Sequence, residues 1–318
     1  MVDRAPAAVR SILRTVGNTP LLKLEKVVPP GSAAVYVKLE YFNPTGSYKD
    51  RMALAMIEEA EARGDLKPGM TVVEYTGGST GSSLAFVCAV KGYDFHVVSS
   101  DVFAPEKLRT MRVFGAELEI IPGEAGYITP DIIPRMIARA EELAQQNGVY
   151  FTNQFHNEDA LAGYVVLAEE LLQQLDQPID AFCAGVGTAG MLVGVSRTLR
   201  RATDGDRTRI VALEPAGSAV LTTGSAGKHR VEGIGVGFTP PLLDEIDYDE
   251  ARAIDEDEAR IMAQRLAREE GVFGGTSSGL NVVAALQLAQ ELGPGHTVVT
   301  VVVDFGLKYL AGDLYAAT

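Results

Sequence analysis

Lys49 closes the stretch Asn43-Pro44-Thr45-Gly46-Ser47-Tyr48 and opens one in which Met52, Ala55, Met56 and Glu59 recur at helical spacing. A turn thus delivers a lysine to the first residue of a helix. The macrodipole disfavours a cation there, lowers its pKa and favours the neutral amine. A neutral amine is what condensation with an aldehyde requires. The plain alternative is a solvated surface charge, the usual state of a lysine.

Three glycine loops offer other chemistry. Gly185-Val186-Gly187-Thr188-Ala189-Gly190 matches the dinucleotide pattern G-x-G-x-x-G between a strand and a helix, and Glu214 ends the next strand where a ribose-binding acid would stand. Unpaired amides and a helix dipole attract any anion, so this loop predicts a phosphate and leaves its carrier open. Gly77-Gly78-Ser79-Thr80-Gly81 and Gly275-Thr276-Ser277-Ser278-Gly279 both fit the nucleophile-elbow pattern G-x-S-x-G. A serine hydrolase also needs an acid, a downstream histidine and an oxyanion loop. After Ser277 only His296 follows, and no His-Gly-Gly segment precedes Ser79.

The elements that must position these groups alternate. Apolar β-branched runs predict strands over 71–75, 95–99, 117–121, 180–184, 209–214 and 297–303. Helical spacing predicts helices over 80–91, 105–114, 130–146, 158–175, 189–201, 256–270 and 278–292, with Gly92 and Gly115 as left-handed stops. Strand–helix alternation means mostly parallel sheets covered on both faces, and a break near 150–157 divides it into two α/β domains. Ligands of such sheets sit beyond the carboxyl ends of strands, where the Gly and Ser clusters lie. The Gly- and Pro-rich loop over 216–241 is long enough to read as functional.

With 318 residues, 47% apolar and 22% charged, the chain suits two globular domains, and its net charge of −14 opposes nucleic-acid and anionic-membrane partners. Cys88 and Cys183 sit in apolar runs and read as buried free thiols of a reducing compartment; with four scattered histidines they match no metal pattern. The N-terminal residues carry no apolar signal core, and the longest apolar run, 298–303, is far too short to span a bilayer. The expected location is the cytoplasm.

Taken in order, the segments resemble the cysteine synthase and cystathionine β-synthase family of pyridoxal-phosphate enzymes, with the tryptophan-synthase-β type fold (fold type II). The resemblance runs over nearly the whole chain: Gly17-Asn18-Thr19-Pro20-Leu21, Lys38-Leu39-Glu40, the Lys49 motif, Gln154-Phe155, Gly233-Ile234-Gly235-Val236-Gly237-Phe238, Arg268-Glu269-Glu270-Gly271 and Ser277-Ser278-Gly279. It implies that Lys49 carries pyridoxal 5′-phosphate as a Schiff base, that Gly187, Thr188, Ala189, Gly190 and Met191 hold its phosphate, and that Ser277 meets the pyridine nitrogen. Thr76, Gly77, Gly78, Ser79 and Thr80 would bind the substrate carboxylate with help from Gln154, and Gly235 would border the pocket. It also implies two open, mostly parallel α/β domains with the cofactor between them: 1–45 with 152–318 as the larger, and 46–151 as the smaller, mobile one. The expected product is a homodimer acting on a small amino acid and a small nucleophile, with a serine acetyltransferase partner left open.

The activity implied is β-replacement on an O-activated serine, O-acetylserine or O-phosphoserine, with sulfide or another nucleophile. Cystathionine β-synthase-like, diaminopropionate-forming and serine or threonine dehydratase activities use the same scaffold, and a catalytically silent paralogue is the non-enzyme alternative. Three departures bear on the choice. Where the family usually has Thr-Ser-Gly-Asn-Thr-Gly, this chain has Thr76-Gly77-Gly78-Ser79-Thr80-Gly81, so Ser79 stands for the Asn that meets the cofactor's 3′-oxygen and Gly77 lacks a hydroxyl. The usual Gly-Thr-Gly-Gly-Thr becomes Gly187-Thr188-Ala189-Gly190-Met191, and Asp304-Phe305-Gly306-Leu307-Lys308-Tyr309 replaces a more polar segment beside the ring. These changes imply a donor or nucleophile other than plain O-acetylserine and sulfide.

Overall fold

The computed structural model describes residues 8–103, 105–123, 131–202 and 208–316. Among the described residues, ten strands form two sheets. The larger contains β1 (Leu21–Lys23), β2 (Ala34–Leu39), β7 (Ala181–Gly185), β8 (Arg209–Pro215), β9 (Glu250–Ile254) and β10 (Thr297–Val302), in the order β1-β2-β10-β7-β8-β9. The smaller contains β3 (Thr71–Tyr75), β4 (Asp94–Ser100), β5 (Glu117–Ile121) and β6 (Val149–Phe151), in the order β5-β4-β3-β6. Among the described strands, only β1 pairs antiparallel, as the edge of the larger sheet. Parallel strands are covered on both faces and read as unbroken apolar runs. Every residue of β10 is buried, between β2 and β7.

Helices fill the space around and between the sheets: α1 (Lys49–Arg63), α2 (Ser79–Lys91), α3 (Pro105–Val113), α4 (Ile132–Ala144), α5 (Ala160–Gln174), α6 (Gly190–Ala202), α7 (Val220–Thr223), α8 (Glu256–Arg265) and α9 (Thr276–Leu292). Left-handed glycines stop α1 and α2, Gly64 at φ 78° and Gly92 at φ 81°. A π turn, Leu266–Glu270, extends α8 to Gly271, so the helix expected over 256–270 continues with altered hydrogen bonding. The thiols of Cys88 and Cys183 are free and buried. Each thiol pKa is pushed up to about 12 by burial.

Helix α1 packs against α2 and α5, and α5 packs against α6. A buried ionic cluster fixes its first turn. Arg51 donates from Nε and Nη2 to Glu40 at 2.7 and 2.8 Å and from Nη1 and Nη2 to Glu170 at 2.8 Å each. Lys38 Nζ lies 2.7 Å from Glu170, and Thr19 Oγ1 donates to Glu40 at 2.6 Å. Asn43 Nδ2 donates to Glu40 Oε2 at 2.9 Å, which ties the turn before α1 to the same acid. Close backbone approach seals the joint: a Cβ on Gly163 would lie 2.4 Å from the Arg51 carbonyl.

Removing the central cation would leave Glu40 and Glu170 buried and facing each other. Arg51→Met is expected to cost about 3–5 kcal/mol, read as a lowered urea midpoint.

Candidate active site

The loops that leave β2, β3, β7 and β10 at their carboxyl ends converge on the first residue of α1. Tyr48 N donates to Val303 O at 2.9 Å, Phe305 N donates to Gly46 O at 3.0 Å, and Ser47 bridges Asp304. The turn before Lys49 is thereby clamped to the end of β10. Two contact chains lead outward. On one, the Tyr48 and Tyr164 rings lie 5.8 Å apart and Tyr164 packs 3.4 Å from the site of a Gly190 Cβ, at the start of α6. On the other, Asp50 accepts from Ser83 Oγ of α2 at 2.6 Å, and Lys308 runs past Gly46 to Ser79.

Lys49 is 7% exposed, with Nζ 4.7 Å from the Tyr48 ring centroid, and no carboxylate pairs with it among the described residues. Its pKa falls from 10.5 to about 8, chiefly through burial, against a smaller opposing pull from the Glu74 charge. Desolvation is thus the leading cause, where sequence reasoning had only the helix dipole. Glu74 is fully buried and its carboxyl is pushed up to about 7 by burial, although Thr152 Oγ1 donates to it at 2.7 Å, Tyr75 N at 2.9 Å and Gln154 N at 3.0 Å.

The loop over 76–80 is held from below. Gln154 Nε2 donates to Tyr75 O at 3.1 Å and its Oε1 accepts from Thr80 Oγ1 at 2.8 Å, so this side chain fixes the entry to α2. Thr76 Oγ1 accepts from Gly78 N at 3.2 Å. A Cβ on Gly77 would fall 2.1 Å from the Phe103 ring, so this chain has exchanged a loop hydroxyl for an aromatic wall. Phe103 was not singled out in the sequence; nothing at Gly77 says what fills its space.

At α6, a Cβ on Gly187 would lie 2.3 Å from Gly233 O. Gly235, at φ 65°, donates to Val186 O at 3.1 Å and accepts from His229 Nε2 at 2.9 Å. The two glycine segments therefore lie backbone on backbone. Ala189 takes φ 68°, a left-handed strain of about 1–2 kcal/mol for a residue with a Cβ. Ala189 and Met191 belong to the apolar core. The polar groups this loop offers are therefore Thr188 and first-turn amides without an intrahelical partner, a set suited to an anion. Glu214 accepts from Leu221 N, Thr222 N and Thr222 Oγ1 at 2.9, 2.8 and 2.7 Å. It caps the short α7, which removes it as a ribose ligand.

Ser277 lies in the first turn of α9 and is 4% exposed, and Ser278 Oγ beside it accepts from Val303 N at 3.1 Å. Neither serine elbow has a histidine among its hydrogen-bond partners in the described residues. No group of three His, Cys, Asp or Glu among the described residues could hold a metal, and no described helix is long and apolar enough to cross a membrane.

An unpaired buried amine, two helix N-termini reached from it through Tyr164 and through Asp50, and a glycine cradle closed by backbone form a donor set that fits an aldehyde bearing a phosphate. The family model described as pyridoxal-phosphate dependent enzyme matches residues 12–304. The chain belongs to that family. A cysteine synthase of Staphylococcus aureus (strain Mu50 / ATCC 700699) is 43% identical over 314 residues, 98% of this chain and 99% of that protein. The crystal structure of an O-ureido-L-serine synthase matches with a TM-score of 0.90 at 38% identity, covering 97% of this chain and 96% of that one. O-acetylserine sulfhydrylase isoform 3 from Entamoeba histolytica gives 0.92 at 34%, covering 100% and 95%. The enzyme is pyridoxal-phosphate dependent and has the two-sheet α/β architecture of these structures.

Two outcomes follow from this geometry. The rate at which cofactor-stripped protein regains its yellow colour should climb as pH rises through about 8 and then level off, because the neutral fraction of Lys49 saturates above its pKa; a solvated lysine would keep the rate climbing past about pH 10. Gly77→Ser alone should lower stability by about 1–3 kcal/mol through collision with Phe103, and Phe103→Ala added to it should recover most of that loss in a thermal melt.

Proposed function

We propose that the chain catalyses β-replacement on an O-activated serine, in the manner of a cysteine synthase, with O-acetylserine and sulfide as the reference pair. The observation that carries this reading is the Lys49 amine, buried without an ion pair and half neutral near pH 8. The bound cofactor supplies an electron-withdrawing ring conjugated to the substrate's α-carbon. Lys49 would hold the cofactor through its amine and, with substrate bound, would be the base placed to take the α-proton and to return it after the β-substituent has departed as its anion and a nucleophile has taken its place.

First-turn amides of α2 and the hydroxyls of Thr76 and Thr80 bind the substrate carboxylate, with Gln154 holding Thr80 in place. Thr188 and the first-turn amides of α6 hold the phosphate. Ser277 would meet the ring nitrogen as a neutral partner that does not stabilise a protonated nitrogen as a carboxylate would, so the ring would withdraw electrons less strongly, which suits departure of a good leaving group. Gly235 borders the pocket from the loop that lies on Gly187. The segment 46–151 acts as the smaller, mobile domain that closes on substrate, against a larger domain of 1–45 and 152–318, and the enzyme works as a homodimer.

A second reading, in which the donor or nucleophile differs from this pair, is favoured by the Phe103 ring over Gly77. Steady-state comparison decides between them: the first reading expects the highest kcat/KM for O-acetylserine with sulfide, the second for another donor or nucleophile. Lys49→Ala is expected to be colourless and to lose activity by about 10³-fold or more in either case. A colourless wild-type protein that takes up no pyridoxal phosphate would overturn both.

A further inference from the structure

A second amine stands at the same site with no part in the reaction described so far. Lys308, in the turn Gly306–Tyr309 after β10, runs beside Gly46, with Cε 3.9 Å from the site of a Gly46 Cβ. Its Nζ donates to Ser79 Oγ at 3.4 Å, across an interval of 229 residues. Burial lowers its pKa, while Asp304 and Asp50 draw it upward and Lys107 draws it down. Each charged neighbour is itself engaged. Asp50 accepts from Thr45 and Ser83, and Lys107 of α3 pairs with Glu232. Asp304 Oδ2 accepts from Tyr309 at 2.6 Å, but Asp304 Oδ1 is buried and has no partner among the described residues. Lys308 is thus a half-buried cation aimed into the site between unequal counter-charges.

The connectivity of the cofactor says what such a cation would meet. Its aldehyde-bearing carbon has the carbon of the phosphate arm on one side and the carbon of the 3′-oxygen on the other. With Lys49 on the aldehyde and the phosphate at α6, the 3′-oxygen points away from α6, and the chain that leads from Lys49 to α2 passes through Gly46, Lys308 and Ser79.

We propose that Lys308, seated on Ser79, donates an N–H to the 3′-oxygen of the cofactor held on Lys49. This rests on the reading of Lys49 given above. An N–H cation there stabilises a negative 3′-oxygen and disfavours a proton on the adjacent Lys49–cofactor nitrogen. The protonated linkage should therefore lose its proton at lower pH than it would without Lys308.

The test is a pH titration of the absorbance of the purified holoenzyme. The yellow form of the wild type should convert to its near-ultraviolet form with a midpoint about one unit or more below that of Lys308→Met, and Lys308→Arg should keep the low midpoint. Should Lys308→Met fail to retain cofactor, Lys308→Gln, neutral but polar, is titrated in its place with the same expectation. A midpoint unchanged in the neutral variant overturns the proposal, as does a wild type that stays yellow throughout. Failure of the Lys49 reading looks different, because wild type and variants would then all be colourless.

Discussion

Everything at this site depends on keeping one amine out of water with nothing negative bonded to it. An ammonium ion resists that transfer by several kcal/mol unless it is paired or gives up its proton. The chain contains both solutions within a few residues. Lys38, fully buried, meets Glu170 at 2.7 Å and the Thr19 carbonyl at 2.7 Å. Lys49, nearly as deep, lies over the face of Tyr48 and has no ion pair among the described residues. The first arrangement holds a charge in place; the second leaves a nucleophile. Nearest neighbours do not separate them, because each lysine follows a β-branched or aromatic residue and precedes an acid or apolar one; the turn before Lys49 is what sets it apart in the sequence.

The ionic cluster below α1 makes the second arrangement tenable. Helix α1 begins at Lys49, and two residues on Arg51 is clamped between Glu40, at the end of β2, and Glu170, in α5. Both larger-sheet anchors therefore grip the helix within its first turn. Toward the smaller sheet, Asp50 takes hydrogen bonds from Thr45 and from Ser83 of α2. Three consecutive residues thus point a base, a link to one half and a link to the other half in different directions, which a helix permits because successive side chains are 100° apart. A shift of α1 relative to either sheet would break charged contacts before it moved Lys49.

Much of this was legible in the residues. Apolar runs of parallel strands and glycine stops marked the elements at 71–75, 117–121 and around 297–303 to within a residue; at 71–75 and 297–302 near-complete burial leaves little else for those sequences to be. The edge strands β1 and β9 were not called, because short edge strands are part-exposed and mix polar with apolar residues; β2, mostly buried between β1 and β10, was not called either. The lysine turn and the glycine loops stood out because backbone geometry demands particular residue types there. Glu74, Phe103 and Lys308 did not, because their roles come from contacts made at a distance. Glu74 reads as one acid in a strand until Thr152 and Gln154 are brought beneath it.

The departures from the family pattern divide along the same line. At the loop over 187–191, Ala189 and Met191 belong to the apolar core, so their identities change packing, and the polar groups the loop still offers are Thr188 and main-chain amides that any sequence supplies. Substitution there is cheap so long as Ala189 tolerates its left-handed φ. At the loop over 76–80 each change has a partner elsewhere: Gly77 with the ring of Phe103, Ser79 with the amine of Lys308. A position read through its side chain cannot vary alone, and compensation for it comes from whatever the fold brings near. On the reading proposed above, that asymmetry places the divergence of this chain at the loop over 76–80 and leaves the loop over 187–191 as the fixed point from which the rest is measured.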